Sequence, residues 1–257
     1  MNADKTVLYA VDGSVARVTL NRPEKRNALN DAVIAGIKDG LKKASQDERV
    51  RVVVISGAGK DFCSGADLTA LQKIASASVA ENSEDARLLL ELFLLIRQLP
   101  IPVVAAVTGR ALAGGCGLAT ACDIVLAASS ARFGYPEVKI GFVPAMVMAI
   151  LRRNVSEKRA FELITRGAEI SADQAKLFGL VNHVFPESNF AEDVNQYVGE
   201  FEKMSRSAIG LTKTLLYQMD GMAFPEALET GADVNVIARL TDDCQQNIAK
   251  FLQKDRS

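Results

Sequence analysis

Two short glycine-containing stretches, each following a run of apolar β-forming residues, constrain this chain more than any other feature. The first is Phe62-Cys63-Ser64-Gly65-Ala66-Asp67-Leu68, shortly after Val52-Val53-Val54-Ile55. The second is Ala113-Gly114-Gly115-Cys116-Gly117, shortly after Val103-Val104-Ala105-Ala106-Val107. Each reads as a strand-to-helix turn, and a helix start leaves backbone N–H groups without intrahelical partners. Two such turns facing one another would hold an oxygen that gains negative charge. That points to chemistry on a carbonyl compound through an oxyanion, with an enolate as the intermediate. Ala66 suits this role, because a bulky side chain there would block a ligand.

The rest of the pattern supplies strands and helices in alternation. Thr6 to Asp12 and Ser14 to Leu20 alternate around Asp12-Gly13 and predict a β-hairpin. Asn21-Arg22-Pro23-Glu24-Lys25-Arg26 breaks the pattern as a loop. Asn30 or Asp31 caps a helix to about Ser45, with Val33, Ile34, Ile37 and Leu41 on one face. Val50 to Ser56 predicts a buried strand. Ser83 to Gln98 predicts a long helix, ended by Pro100 and Pro102 before a strand at Val103 to Val107. Further strands are predicted at Asp123 to Ala127, Ala131 to Phe133 and Val181 to Val184. Helices follow Val143-Pro144, open at Ser156 and Ser171, and occupy the chain from about Glu187. This order predicts an α/β core over 1–190 and a helical region over 191–257. No internal repeat or low-complexity linker interrupts it.

Composition excludes several function classes. Hydrophobic residues make up 49%, enough for a substantial core, and 30 basic residues balance 31 acidic ones. No basic stripe favours nucleic acid. Cys63, Cys116, Cys122 and Cys244 show no Cys-x-x-Cys spacing, so they read as reduced thiols of a cytoplasmic protein. No signal-peptide region or membrane-spanning run is present. Gly57-Ala58-Gly59 lacks the third glycine of a dinucleotide-binding turn, and Gly59-Lys60 is followed by Asp61 rather than Ser or Thr. There is no Gly-x-Ser-x-Gly elbow and no Ser-x-x-Lys. The single histidine, His183, reads as a structural strand-end residue, and no His/Cys cluster supports a metal site.

One carboxylate stands out. Glu137 lies in Phe133-Gly134-Tyr135-Pro136-Glu137-Val138-Lys139-Ile140-Gly141-Phe142, among apolar and ring residues. A partly desolvated carboxylate has a raised pKa and suits proton transfer near neutral pH. A surface ion pair with Lys139 is the alternative, and the local sequence leaves both open.

Taken in order, these residues resemble the crotonase family of enoyl-CoA hydratases and isomerases. The likeness is carried by Asn21-Arg22-Pro23-Glu24-Lys25-Arg26-Asn27-Ala28-Leu29, Gly65-Ala66-Asp67-Leu68, Ala113-Gly114-Gly115-Cys116, Ala121-Cys122-Asp123-Ile124 and Phe133-Gly134-Tyr135-Pro136-Glu137. Gly179-Leu180-Val181-Asn182 and Phe251-Leu252-Gln253-Lys254 extend it across nearly the whole chain. The resemblance implies a crotonase-like α/β spiral of ββα turns, with a C-terminal helical region used for trimerisation and active-site cover. It implies homotrimers or homohexamers, and an acyl-CoA thioester substrate that brings its own CoA, with no separate cofactor. It assigns the oxyanion-holding N–H groups to Ala66 and Gly114, and catalysis to Glu137. CoA and substrate binding fall to Lys25, Arg26, Ala28, Ser64, Asp67, Leu68 and Gly115, with Lys254 reaching the CoA of a neighbouring subunit. The cations Arg22, Lys25 and Arg26 match a polyanionic ligand.

The chain departs from the family pattern where typical hydratases carry a first glutamate, which here is Gly117. The usual glycine run after Val-Pro is altered to Pro144-Ala145-Met146-Val147-Met148, implying a tighter, more apolar pocket wall. Ala145 argues against a dienoyl-CoA isomerase. Hydration is usually shared by two carboxylates, whereas moving a double bond from the 3- to the 2-position needs one. The residues therefore lean towards isomerisation. Hydration, with Glu137 alone or with Glu81, Glu84 or Asp85 as a second acid, and acyl-CoA binding without turnover are the alternatives.

Overall fold

The computed structural model describes residues 5–254, and the hairpin forms where the alternation predicts it. Strand β1 (Val7–Asp12) pairs antiparallel with β2 (Val15–Leu20). The turn between them is Gly13-Ser14, one residue later than expected, with Gly13 at φ +56°. Helix α1 (Asp31–Gln46) is capped by Asn30, whose Oδ1 accepts from Val33 N–H at 3.0 Å. Strand β3 (Val52–Gly57) leads through the first glycine turn to α2 (Leu68–Ser76). Helix α3 (Val79–Gln98) begins four residues before the predicted Ser83, because Ser78 and Glu81 form a reciprocal capping box.

Strand β4 (Val103–Val107) is followed by β5 (Arg110–Leu112) and α4 (Gly114–Ala121), then β6 (Ile124–Ala128) and β7 (Arg132–Gly134). Helices α5 (Ala145–Asn154) and α6 (Glu157–Arg166), strand β8 (Ile170–Ser171), helix α7 (Ala172–Phe178) and strand β9 (His183–Phe185) complete the core. Helices α8 (Phe190–Gly199), α9 (Arg206–Gln218), α10 (Phe224–Arg239) and α11 (Asp242–Lys254) follow. Strands β5 and β8 were not anticipated, and the last strand lies two residues beyond its predicted start.

The main sheet runs β1-β2-β3-β4-β6-β9, parallel from β2 onward, and β5-β7-β8 form a second, smaller sheet. Strand β4 explains its own unbroken apolar run. Val103, Ala105 and Val107 enter the large core shared with α1, α3 and α4. Val104 and Ala106 face the opposite layer, where Phe190, Val194 and Val198 of α8 cover the sheet. A strand buried on both faces has no reason to alternate. Helix α8 crosses the 190/191 division drawn from the sequence and packs against this second face. Among the described residues, no helix is long and apolar enough to cross a membrane.

A buried polar knot fastens α9 to this core. Lys213 Nζ donates to Asp123 Oδ2 (2.6 Å), Ile96 O (2.8 Å) and Ile101 O (3.0 Å). Asp123 also accepts from Tyr217 O–H (2.7 Å) and from Val103 N–H (2.7 Å). Burial pushes the Lys213 pKa down, and the Asp123 charge opposes that shift. Removing one partner of such a buried pair costs about 3–5 kcal/mol, because the other charge is left uncompensated. Lys213→Met is therefore expected to lower unfolding stability by that amount in chemical denaturation. A loss below about 1 kcal/mol would place the pair among weak surface bridges.

Candidate active site

The two glycine turns meet through a short bridge of parallel backbone, and a second such bridge joins the first turn to the loop before α1. Cys63 N–H donates to Arg110 O (3.0 Å), and Leu112 N–H donates to Cys63 O (2.9 Å). On the other side, Leu29 N–H donates to Gly65 O (2.7 Å), and Asp67 N–H donates to Leu29 O (3.0 Å). Ala66 sits between those two contacts, so its own N–H points away from Leu29. Neither that N–H nor the Gly114 N–H at the start of α4 has a hydrogen-bond partner among the described residues. The second turn therefore follows β5 rather than β4 directly.

Glycine is required where the turns approach. A Cβ on Gly65, at φ +99°, would lie 2.9 Å from Ala113 Cβ and 3.8 Å from Gly114 N. A Cβ on Gly115 would overlap the Cys63 carbonyl oxygen. Ala113 itself adopts φ +49°, ψ −126°, a backbone state that costs a non-glycine residue about 1–3 kcal/mol. Its N–H donates to Gly134 O at 2.9 Å, which helps hold the strained peptide that presents Gly114. Nothing in the sequence marked Ala113, since strain at an alanine leaves no compositional trace.

Glu137 lies in a short 3-10 turn, Pro136–Ile140, closed by Phe142 N–H donating to Glu137 O at 3.0 Å. Its Oε2 is buried and has no hydrogen-bond partner among the described residues. Burial raises its pKa above the ordinary carboxylate value. Among the described ion pairs none joins it to Lys139, so that alternative falls away. Burial pushes the Cys116 thiol up to about 12, and the nearby Glu137 charge adds to the rise. Cys63 is likewise raised to about 12 by burial, so neither thiol is a ready nucleophile.

The place of the missing glutamate is full. A Cβ on Gly117 would overlap Val147 Cγ1 of α5 and lie 3.3 Å from Phe93 Cζ of α3. Val147 and Phe93 were not singled out from the sequence as a pair, because only the fold brings α3 and α5 onto α4. Of the other acids considered, Glu81 is committed to the cap, accepting from Ser78 N–H (2.8 Å) and O–H (2.7 Å). Glu84 is exposed on α3 and Asp85 is half-buried.

The loop expected to bind CoA does reach the first turn, with Ser64 N–H donating to Arg26 O at 3.0 Å. Lys25 and Arg26 are exposed, Ser64 is half-buried and Ala28 is buried. Asp67 is buried with both oxygens engaged, Oδ1 by Thr69 and Oδ2 by Arg22. The side chains of Leu68 and Lys254 lie outside the described residues. Among the described residues, no group of His, Cys, Asp and Glu is arranged to hold a metal ion.

A family profile described as Enoyl-CoA hydratase/isomerase matches residues 10–257. The chain belongs to that family. A Thermus thermophilus protein, provisionally named as an enoyl-CoA hydratase, is 40% identical over 94% of this chain and 96% of its own length. The 2,3-dehydroadipyl-CoA hydratase of Escherichia coli is 35% identical over 93% and 92%. The crystal structure of a Mycobacterium smegmatis enoyl-CoA hydratase superposes with a TM-score of 0.92 at 31% identity, over 97% of this chain and 96% of that one. The enoyl-CoA hydratase/isomerase fold is thus the fold seen here, and the chain is an enzyme of the hydratase/isomerase type.

Proposed function

We propose that this enzyme moves the double bond of a 3-enoyl-CoA thioester to the 2-position, with Glu137 as the only proton carrier. The reading is carried by Glu137, whose buried carboxylate oxygen lacks a partner while the second-acid position at Gly117 is occupied by Val147. The thioester oxygen accepts from the Ala66 and Gly114 N–H groups. Glu137 removes a proton from the α-carbon, the electron pair spreads over a dienolate, and the same carboxyl returns the proton at the γ-carbon. No water is consumed. One oxyanion donor contributes about 2.7–4 kcal/mol, and a positioned base about 10²–10⁴-fold. The CoA belongs to the substrate, and the exposed Lys25 and Arg26 suit its phosphates. On the same reading the protein is a cytoplasmic homotrimer or homohexamer. Its exposed apolar residues on α10 and α11, such as Phe224, Leu228 and Phe251, fit subunit contact.

The test is conversion of 3-enoyl-CoA to 2-enoyl-CoA by the wild type across chain lengths. No conversion at any length overturns the reading. The pH profile is a second measure. The active form is deprotonated and burial raises its pKa, so kcat/KM falls on acidification at a pH above the ordinary carboxylate value of about 4.3. An acid limb at or below that value contradicts the assignment. Hydration is the second reading, supported by relatives such as the crotonyl-CoA hydratase of Syntrophomonas wolfei, 32% identical over 99% of this chain and 98% of its own length. It runs on Glu137 alone or with a second acid, for which half-buried Asp85 is a candidate. It predicts loss of 2-enoyl-CoA on enzyme addition, with dependence on Asp85 only if that acid takes part. Binding of acyl-CoA without either reaction would leave a non-catalytic role.

A further inference from the structure

We infer that Arg22 is a positioning residue for the Ala66 N–H, not a cation for the substrate's phosphates. The inference rests on the acyl-CoA reading above. Its planar guanidinium is forked across two chain segments, with Nη1 donating to Ala28 O at 2.9 Å and Nη2 to Asp67 Oδ2 at 2.6 Å. Ala28 and Asp67 are the immediate neighbours of Leu29 and Ala66, the two residues of the bridge beside the first turn. One rigid group therefore spans both sides of the contact that aims the Ala66 N–H.

Each end of the strap is itself fixed. The Arg22 N–H donates to Asn27 Oδ1 at 2.9 Å, and Asn27 N–H donates back to Arg22 O at 2.9 Å. Asn27 is buried and its Nδ2 donates to Ala58 O (2.9 Å) and Asp61 O (2.7 Å), so the loop is tied to the segment that follows β3. At the other end, Asp67 Oδ1 accepts from Thr69 N–H (3.0 Å) and Oγ1–H (2.9 Å), which ties the strap to the start of α2. The Thr69 N–H and the Arg22 guanidinium hold the Asp67 carboxyl down at about 2, so it stays ionised throughout the working range. Arg22 is only 15% exposed in its side chain, whereas Lys25 and Arg26 stand in solvent. A phosphate would meet those two first, and could recruit Arg22 only by breaking a charge-assisted, two-armed contact.

The experiment compares wild type with Arg22→Lys, which keeps the charge but loses the fork, and with Asp67→Asn. Three quantities are read: α-proton exchange of a saturated acyl-CoA in D2O, affinity for free CoA, and hydrogen-exchange protection of the Leu29 and Asp67 amides. Exchange at the α-carbon needs the hole and Glu137 but neither hydration nor isomerisation, so it is independent of which reaction the enzyme completes. Loss of one oxyanion donor costs about 10²–10³-fold. A misaimed donor should cost a tenfold or greater part of that in α-exchange. In Arg22→Lys, free-CoA affinity should stay within about twofold, and in both variants protection at Leu29 and Asp67 should fall. The double variant should be little worse than either single one, since both cut the same strap. A tenfold loss of CoA affinity with α-exchange and amide protection unchanged overturns the inference and makes Arg22 a phosphate contact. If the wild type exchanges no α-proton, the functional reading fails instead, and amide protection alone decides the strap: unchanged in Arg22→Lys, there is none.

Discussion

Replacing Glu137 with glutamine is expected to lower turnover by about 10²–10⁴-fold, the range for a lost general base. The same change should leave the fold intact or slightly more stable. The carboxylate's Oε2 is buried and accepts no hydrogen bond from the described residues, so no contact of that oxygen is lost with the charge. Burial raises its folded pKa, which means that folding disfavours the ionised form. Such a group costs stability once pH exceeds its unfolded pKa, and the cost is complete above the folded one. A neutral isostere removes that cost at neutral pH. The measurement is a rate on an enoyl-CoA beside a thermal melt at pH 7 and again at low pH, where the difference in melting should shrink. A variant that keeps activity within a few-fold, or loses activity only by unfolding, defeats the assignment of Glu137.

The second large effect concerns Gly117→Glu, which introduces the acid that hydratases carry. It should destabilise the protein by about 3 kcal/mol or more rather than create a hydratase. Overpacking a filled core costs about 1–3 kcal/mol, and an unpaired buried carboxylate adds several more. Val147 Cγ1 already occupies the Cβ position, and Phe93 Cζ closes the other side at 3.3 Å. Both neighbours are themselves buried, so neither can swing into solvent. Trimming the obstacle should help: the double variant with Val147→Ala is expected to recover part of the stability in a denaturant titration. Equal stability of Gly117→Glu and wild type would mean that α5 can move aside, and that position 117 is open to a second acid after all.

Much of this architecture was readable before any coordinates. The hairpin, the Asn30 cap and the helix starts at Ser156 and Ser171 follow from local chemistry, and local chemistry held. Strands β5 and β8 were not legible because Arg110–Leu112 and Ile170–Ser171 run almost directly into the helix starts at Gly114 and Ala172. The first turn of α3 was missed for a different reason. Its Ser78–Glu81 capping box is written in the sequence, but the apolar face that packs on the core begins only at Leu88. At the site, the glycines of both turns were legible as punctuation. What Gly117 faces was not, because Val147 and Phe93 come from distant segments. The choice between a paired and an unpaired Glu137 likewise depended on where Lys139 points, which the backbone turn decides.

The knot around Asp123 has a consequence beyond stability. Lys213 grips the carbonyls of Ile96 and Ile101, at the end of α3 and in the link from it into β4, while Phe93 of the same helix lines the space beside Gly117. Helix α9 also packs against α10 and α11. Load applied to those outer helices therefore reaches α3 through α9, by the Lys213 ammonium and by the Arg97 guanidinium stacked 4.2 Å over the Tyr217 ring. The outer helices and the packing around Gly117 thus share one mechanical linkage.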